Sequence, residues 1–109
     1  MAYDEQLVDR VRKVLARRKS LVEKKMFGGI GFLLHGNMCC GVRDQYLLLR
    51  LGLERAEQAL FQPHVREFNN AGRIIKGWVI VESDGLATDN ALEQWVRDAV
   101  AFVVTLPPK

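Results

Sequence analysis

The sequence predicts an α+β fold in two layers: an antiparallel sheet of about five strands, with helices at the N-terminus, middle and C-terminus packed mainly on one face. Three observations predict it. Apolar residues recur at helical spacing at both ends of the chain. Between them, short apolar runs are punctuated by Gly, Asn and Asp every six to eight residues. Runs so closely joined by tight turns pair as antiparallel neighbours rather than as a doubly wound parallel sheet.

The first segment, Tyr3–Arg18, places Leu7, Val11, Val14 and Leu15 on one helical stripe. Asp4 and Glu5 open it and Arg17 and Arg18 close it, as the helix dipole favours. Asp9 and Lys13 are spaced to form an i, i+4 ion pair. Four strand candidates follow: Val22–Phe27 before Gly28-Gly29, Ile30–Leu34 before His35-Gly36-Asn37, Met38–Arg43 before Asp44-Gln45, and Tyr46–Leu51 before Gly52. Strand alternation puts Leu47, Leu49 and Leu51 on one face, and Tyr46, Leu48 and Arg50 on the other. Helices can cover only one of these apolar faces, so the other is expected to meet a second copy in a homodimer.

A second helix is predicted over Leu53–Gln62, stopping before Pro63 and burying Leu53, Ala56 and Leu60. His64–Lys76 carries no clear period. Asn69-Asn70-Ala71-Gly72 reads as a turn, with Arg73–Lys76 leading toward another strand. Trp78–Glu82 is rich in residues that favour a pleated surface. After the turn Ser83-Asp84-Gly85, any of Thr88, Asp89 and Asn90 can cap the last helix, and Asn90 with Glu93 resembles a capping box. Leu92, Trp95, Val96, Ala99, Val103 and Leu106 hold its buried face up to Pro107-Pro108.

A chain of 109 residues has the size of one domain, here residues 1–109. Its longest apolar stretches, such as Ala99–Val104, fall well short of the roughly 20 residues that cross a bilayer. The acidic, polar start Met1-Ala2-Tyr3-Asp4-Glu5 lacks the features of a signal peptide, so a cytoplasmic location is expected. Net charge is +3 but uneven: residues 1–25 carry eight Lys/Arg against four Asp/Glu, and residues 82–109 two against five.

The motifs offer little to catalysis. Gly28-Gly29-Ile30-Gly31 fits neither GxxxxGK[ST] nor GxGxxG, and a strand rather than a helix follows it, so a tight turn is expected. Cys39 and Cys40 are adjacent, which disfavours a disulfide between them and departs from the usual spacing of zinc ligands. On a regular strand they point to opposite faces, one into the core and one half-exposed. His35 and His64 fall in turns, and Asp44, Asp84 and Asp89 at turns or caps. No catalytic residue, cofactor or metal is assigned. Trp78, beside Ile80, and Trp95 are expected as core anchors, and Met26-Phe27 as core. The best lead is basic: Arg10, Lys13 and Arg17 share one face of the first helix, with Lys24 and Lys25 nearby, as candidate contacts to a partner or to nucleic acid.

Several segments together resemble one family. Lys24-Lys25-Met26-Phe27-Gly28-Gly29-Ile30-Gly31-Phe32 is similar to the KMFGG-type signature of TfoX (Sxy) N-terminal domains, a fairly specific motif. Asn37-Met38-Cys39-Cys40-Gly41-Val42 resembles the strand that follows it in that family. Lys76-Gly77-Trp78-Val79 and Leu86-Ala87-Thr88-Asp89 resemble later landmarks, and the likeness runs from about residue 3 to the end. The resemblance implies an α+β fold related to a chaperone-like antiparallel sheet, with no known enzymatic activity. It implies a role like that of regulators of competence for DNA uptake, which act with the cyclic-AMP receptor protein at promoters. Those regulators carry a second, C-terminal domain with no counterpart in these residues, so a stand-alone N-terminal domain is expected. The leading expectation is thus a regulatory protein-interaction module. The alternatives are a nucleic-acid binder using the first helix and a thiol- or metal-dependent protein at Cys39 and Cys40.

Overall fold

The computed structural model describes residues 3–26 and 28–109. Asp4 caps the first helix, α1 (Glu5–Leu15): its carboxylate accepts from the N–H groups of Gln6 and Leu7 at 2.9 and 3.2 Å. Those are donors that a helix start otherwise leaves unpaired. Leu7, Val8, Val11 and Leu15 are buried, the predicted stripe with Val8 added. In place of the expected Asp9–Lys13 pair, Asp9 meets Arg12 at 2.6 Å. Arg12 is drawn there because its guanidinium also donates to both carboxylate oxygens of Glu23, at 2.7 and 2.8 Å.

Six strands follow among the described residues, one more than expected: β1 (Leu21–Met26), β2 (Gly29–Leu34), β3 (Asn37–Arg43), β4 (Tyr46–Arg50), β5 (Val65–Asn70) and β6 (Arg73–Val81). All pair antiparallel in one sheet ordered β1-β2-β3-β4-β6-β5. The first four are the predicted meander. β5 lies in the unreadable stretch because Arg66, Glu67, Asn69 and Asn70 dilute its apolar content, as an edge strand permits. β6 begins at Arg73 and passes Gly77 at φ +89°, a left-handed conformation that suits glycine. The Gly77 carbonyl there accepts from the N–H groups of Leu51 and Gly52, at 2.8 and 3.1 Å.

Between β4 and β5 lies α2 (Leu53–Ala59), which stops three residues before the predicted Gln62. Ala56 and Ala59 are its buried residues, and the small side chains let it sit close on β6. Leu53 and Leu60, expected in the buried stripe, are instead exposed. A 3-10 turn, Ser83–Leu86, leads to α3 (Asp89–Val103). Thr88 is its cap, accepting from the Ala91 N–H at 3.1 Å, while Glu93 pairs with Arg97 rather than closing a box with Asn90. Leu106 lies half-buried beyond the helix end. The segment after α3 is pinned to the β2–β3 turn. Buried Asn37 donates to the Pro107 carbonyl at 2.9 Å, and the Lys109 N–H donates to the His35 carbonyl at 2.8 Å.

All three helices pack on one side of the sheet. Phe32, Leu34, Val42, Leu47, Leu49, Val79 and Val81 meet Val11, Leu15, Ala56, Ala59, Leu92, Val96 and Ala99 in one core, with Trp95 at its margin. Each large apolar side chain buried there contributes about 1.5–3 kcal/mol. A smaller cluster of Leu48, Phe68 and Ile80 forms on the opposite face, which no helix covers among the described residues.

Candidate interaction surfaces

The basic residues singled out on α1 do converge. Arg10, Lys13 and Arg17 line one open groove of about 490 Å³ between α1 and α3, above Val14 and Leu92. The opposite wall holds Asp89, Glu93 and Arg97, so acid and base alternate across it. Arg10 is already engaged: its Nε lies 3.2 Å from Asp89, and its Nη2 donates to the Leu86 carbonyl at 2.7 Å. It ties α1 to the start of α3, leaving Lys13 and Arg17 exposed. Lys24 and Lys25 do not join them. They alternate along β1, Lys24 opposite Gly31 and Lys25 opposite the core residue Ile30. Directly opposed residues share a face, so Lys25 lies on the helix side and Lys24 on the bare side. Charges on such an edge strand discourage edge-to-edge pairing.

The two cysteines do not diverge as expected. Cys40 pairs with Phe32 and Met38 with Leu33, which leaves Cys39 as the extra residue of a β-bulge. The bulge breaks the alternation, and both side chains enter the helix-side core at 0% exposure. Contact with Cys39, and then burial, push the Cys40 thiol well above its ordinary pKa. A protonated, water-excluded thiol is neither a good nucleophile nor a metal ligand. Among the described residues, no group of three or more His, Cys, Asp or Glu is arranged to hold a metal ion. His35 and His64 occupy exposed left-handed turn positions, at φ 51° and 67°. No helix of the structure is long and apolar enough to cross a membrane.

Apolar side chains gather instead around α2. Leu53, Leu60, Phe61 and Ile74 are 64%, 36%, 92% and 52% exposed, four of the six large exposed hydrophobics among the described residues. Leu53, Leu60 and Ile74 line a cavity of about 110 Å³ with Ile75, Gly77 and Trp78, edged by Glu57, Glu67 and Lys76. Clustered apolar exposure of this kind marks contact surfaces more often than scattered single residues do.

The helix-free sheet face is of another kind. Met38, Tyr46, Ile75 and Trp78 pack around Leu48, Phe68 and Ile80. Trp78 therefore serves this face, half-buried beside Ile80, rather than the main core. Arg50 stands 5.6 Å from the Trp78 ring and 5.9 Å from Phe102, and Arg66 stands 5.3 Å from Tyr46. Phe68 and Trp78 meet at 6.1 Å and 54°. Gly31 and Gly41 face each other in register, and the Met26 and Met38 side chains fold into the space they leave. Met26 is thus half-buried on this face; its predicted companion Phe27 lies outside the described residues.

A family model described as the TfoX N-terminal domain matches residues 13–103. The match opens within α1 and closes at the last residue of α3, taking in the whole sheet. No curated protein and no solved structure matches the chain.

Proposed function

Because this chain belongs to the TfoX N-terminal domain family, we propose that it is a non-enzymatic protein-interaction domain of transcriptional regulation, self-associating through the apolar patch around α2 rather than through the helix-free sheet face expected from sequence. The observation that carries the proposal is the clustering of Leu53, Leu60, Phe61 and Ile74 outside the core. Folding leaves these side chains in water, so their burial energy is still available to an interface. Fully burying one such side chain contributes about 1.5–3 kcal/mol, and aromatic anchors set in apolar surroundings dominate interface energetics. Leu53, Leu60 and Ile74 line the small cavity, and Phe61, next in the chain to Leu60 and 92% exposed, is the aromatic side chain available to anchor a partner.

The resemblance to competence regulators supplies the biological side. A cytoplasmic homodimer is proposed to act with the cyclic-AMP receptor protein in promoter control. Nucleic-acid binding through α1 is less favoured, since Asp89 and Glu93 face its basic residues and Arg10 is taken up by Asp89. Calorimetric titration of purified cyclic-AMP receptor protein, with its nucleotide bound, into this chain tests the regulatory role. Saturable heat at a fixed stoichiometry is the expected outcome. A titration indistinguishable from dilution, with both proteins folded, would contradict it.

A further inference from the structure

We propose that the helix-free face of the sheet binds single-stranded nucleic acid, taking bases on Tyr46 and Trp78 and phosphates on Lys24, Arg43, Arg50 and Arg66. Strand register places these groups together. Tyr46, Leu48 and Arg50 alternate onto this face from β4. Arg43 lies directly opposite Tyr46, Trp78 opposite Arg50, and Arg66 opposite Ile80. Lys24 joins them through Gly31, which pairs with Gly41, which in turn pairs with Leu48.

The charge on this face has one sign apart from its rim. Four cations are distributed across the strands; the acids Asp4, Asp44 and Glu82 gather at the rim beside Tyr46, where Glu82 is paired with Arg66. Glu23 and Glu67 fall opposite Phe32 and Val79 and so point to the helix side. A face this basic complements phosphate and raises the local concentration of a polyanion. The rings complete it. Tyr46 and Trp78 keep part of their surface exposed, and each has an arginine within cation–π distance. Aromatic planes for bases and a basic track for the backbone are the two parts with which proteins hold single strands.

A duplex suits the face poorly, because its bases are already stacked and no helix stands here to enter a groove. A protein partner is also a poorer fit, since charge is depleted at the core of protein interfaces. Six strands at about 4.8 Å spacing give a width of roughly 24 Å, enough for a site of a few nucleotides. The face adjoins the α2 patch at Trp78, which also lines the cavity beside Leu53 and Leu60, while Lys24, Arg43 and Tyr46 lie away from it; the proposal does not rest on any role in competence.

The test is fluorescence anisotropy of a labelled oligothymidylate of twelve nucleotides, titrated with the full chain at several salt concentrations. Binding is expected to weaken with salt, with a log–log slope of roughly −2 to −3 for up to four phosphate contacts on a single strand. Lys24→Glu with Arg43→Glu, both at exposed positions, should abolish most of the affinity. Tyr46→Leu should weaken it by about tenfold, as loss of one stacked base predicts. Lys13→Glu with Arg17→Glu on α1 should leave it unchanged. Each variant is compared with the parent by thermal melt, so that a folding defect is not read as lost contact. The proposal is overturned by no binding at low salt, by loss in the α1 variant alone, or by equal affinity for a duplex of the same length. It is also overturned if the Lys24 and Arg43 reversals change self-association but not oligonucleotide affinity.

Discussion

Treating the native protein with a maleimide or an aromatic disulfide reagent should modify neither Cys39 nor Cys40 at the rate of a free peptide thiol. Both side chains are at 0% exposure in the core because the bulge in β3 turns them to the same side. Reaction must therefore wait for opening. If global unfolding is the route, protection equals the unfolding equilibrium constant. At about 0.05 kcal/mol per residue, the low end for natural domains, a chain of this length has a stability of about 5 kcal/mol. Each 1.4 kcal/mol is a factor of ten, so labelling should be slowed by roughly 10³–10⁴-fold relative to protein in denaturant. Raising the pH should speed labelling only as far as it ionises the thiols of the opened chain, because contact with Cys39 and burial keep the Cys40 thiol of the folded chain protonated. The sign for stability follows. The unfolded thiol ionises near pH 8.5 and the folded one resists, so this group's contribution declines as pH rises above about 8.5. Time-resolved mass spectrometry reads both experiments. Labelling of either cysteine as fast as in denaturant would refute the placement of the pair.

Other consequences are local. Gly29→Ala should prevent normal pairing of β2 with β3, since its Cβ would collide with the Val42 carbonyl oxygen; a melt within about 1 °C of the parent, well below the shift from 1 kcal/mol, would be inconsistent with that approach. Asn37→Ala should cost about 0.5–1.5 kcal/mol, because it removes the hydrogen bond that holds the Pro107 carbonyl, at an exposed residue where water can replace the donor. The same change should speed carboxypeptidase trimming of the C-terminal residues, and unchanged trimming would argue against the latch. Arg12→Ala should cost no more than about 1 kcal/mol, because the Glu23 pair is partly exposed and screened. The hydrogen bond from Arg12 holds the Glu23 carboxyl below its ordinary pKa. That contribution is full above the unfolded value near 4.3 and fades as pH falls through the lower folded value. Melts of parent and variant should therefore converge in acid; a gap that stays constant down to pH 2 would contradict the pairing.

The parts of the fold that could be read in advance are those whose pattern runs long enough to repeat. α1 and α3 carry apolar stripes over several turns, and the meander announces itself through Gly28, Gly36 and Asp44, all at positive φ in turns. β5 could not be read, because it has one exposed edge and needs few apolar residues. The stripe on α2 was visible but its burial was not. Periodicity says which residues share a face, not whether another element covers that face, and only Ala56 and Ala59 of α2 are buried. The cysteine pair failed for a related reason: a single extra residue in β3 reverses the alternation without altering composition. Arg10, Lys13 and Arg17 were correctly grouped on one face. The acids opposite them come from α3, and Asp89 lies 79 residues from Arg10. Contacts over such separations are set by the fold and leave no trace in local spacing.

Self-association through the α2 patch is measured most directly by sedimentation equilibrium of the parent and of Leu53→Asp with Phe61→Asp. The parent should sediment at twice the 12.4 kDa chain mass in the low micromolar range. The variant should sediment at 12.4 kDa with a nearly unchanged thermal melt, since Phe61 is 92% exposed and Leu53 64% exposed in the single chain. A parent that remains at 12.4 kDa throughout that range, or a folded variant that still dimerises, would contradict the assignment.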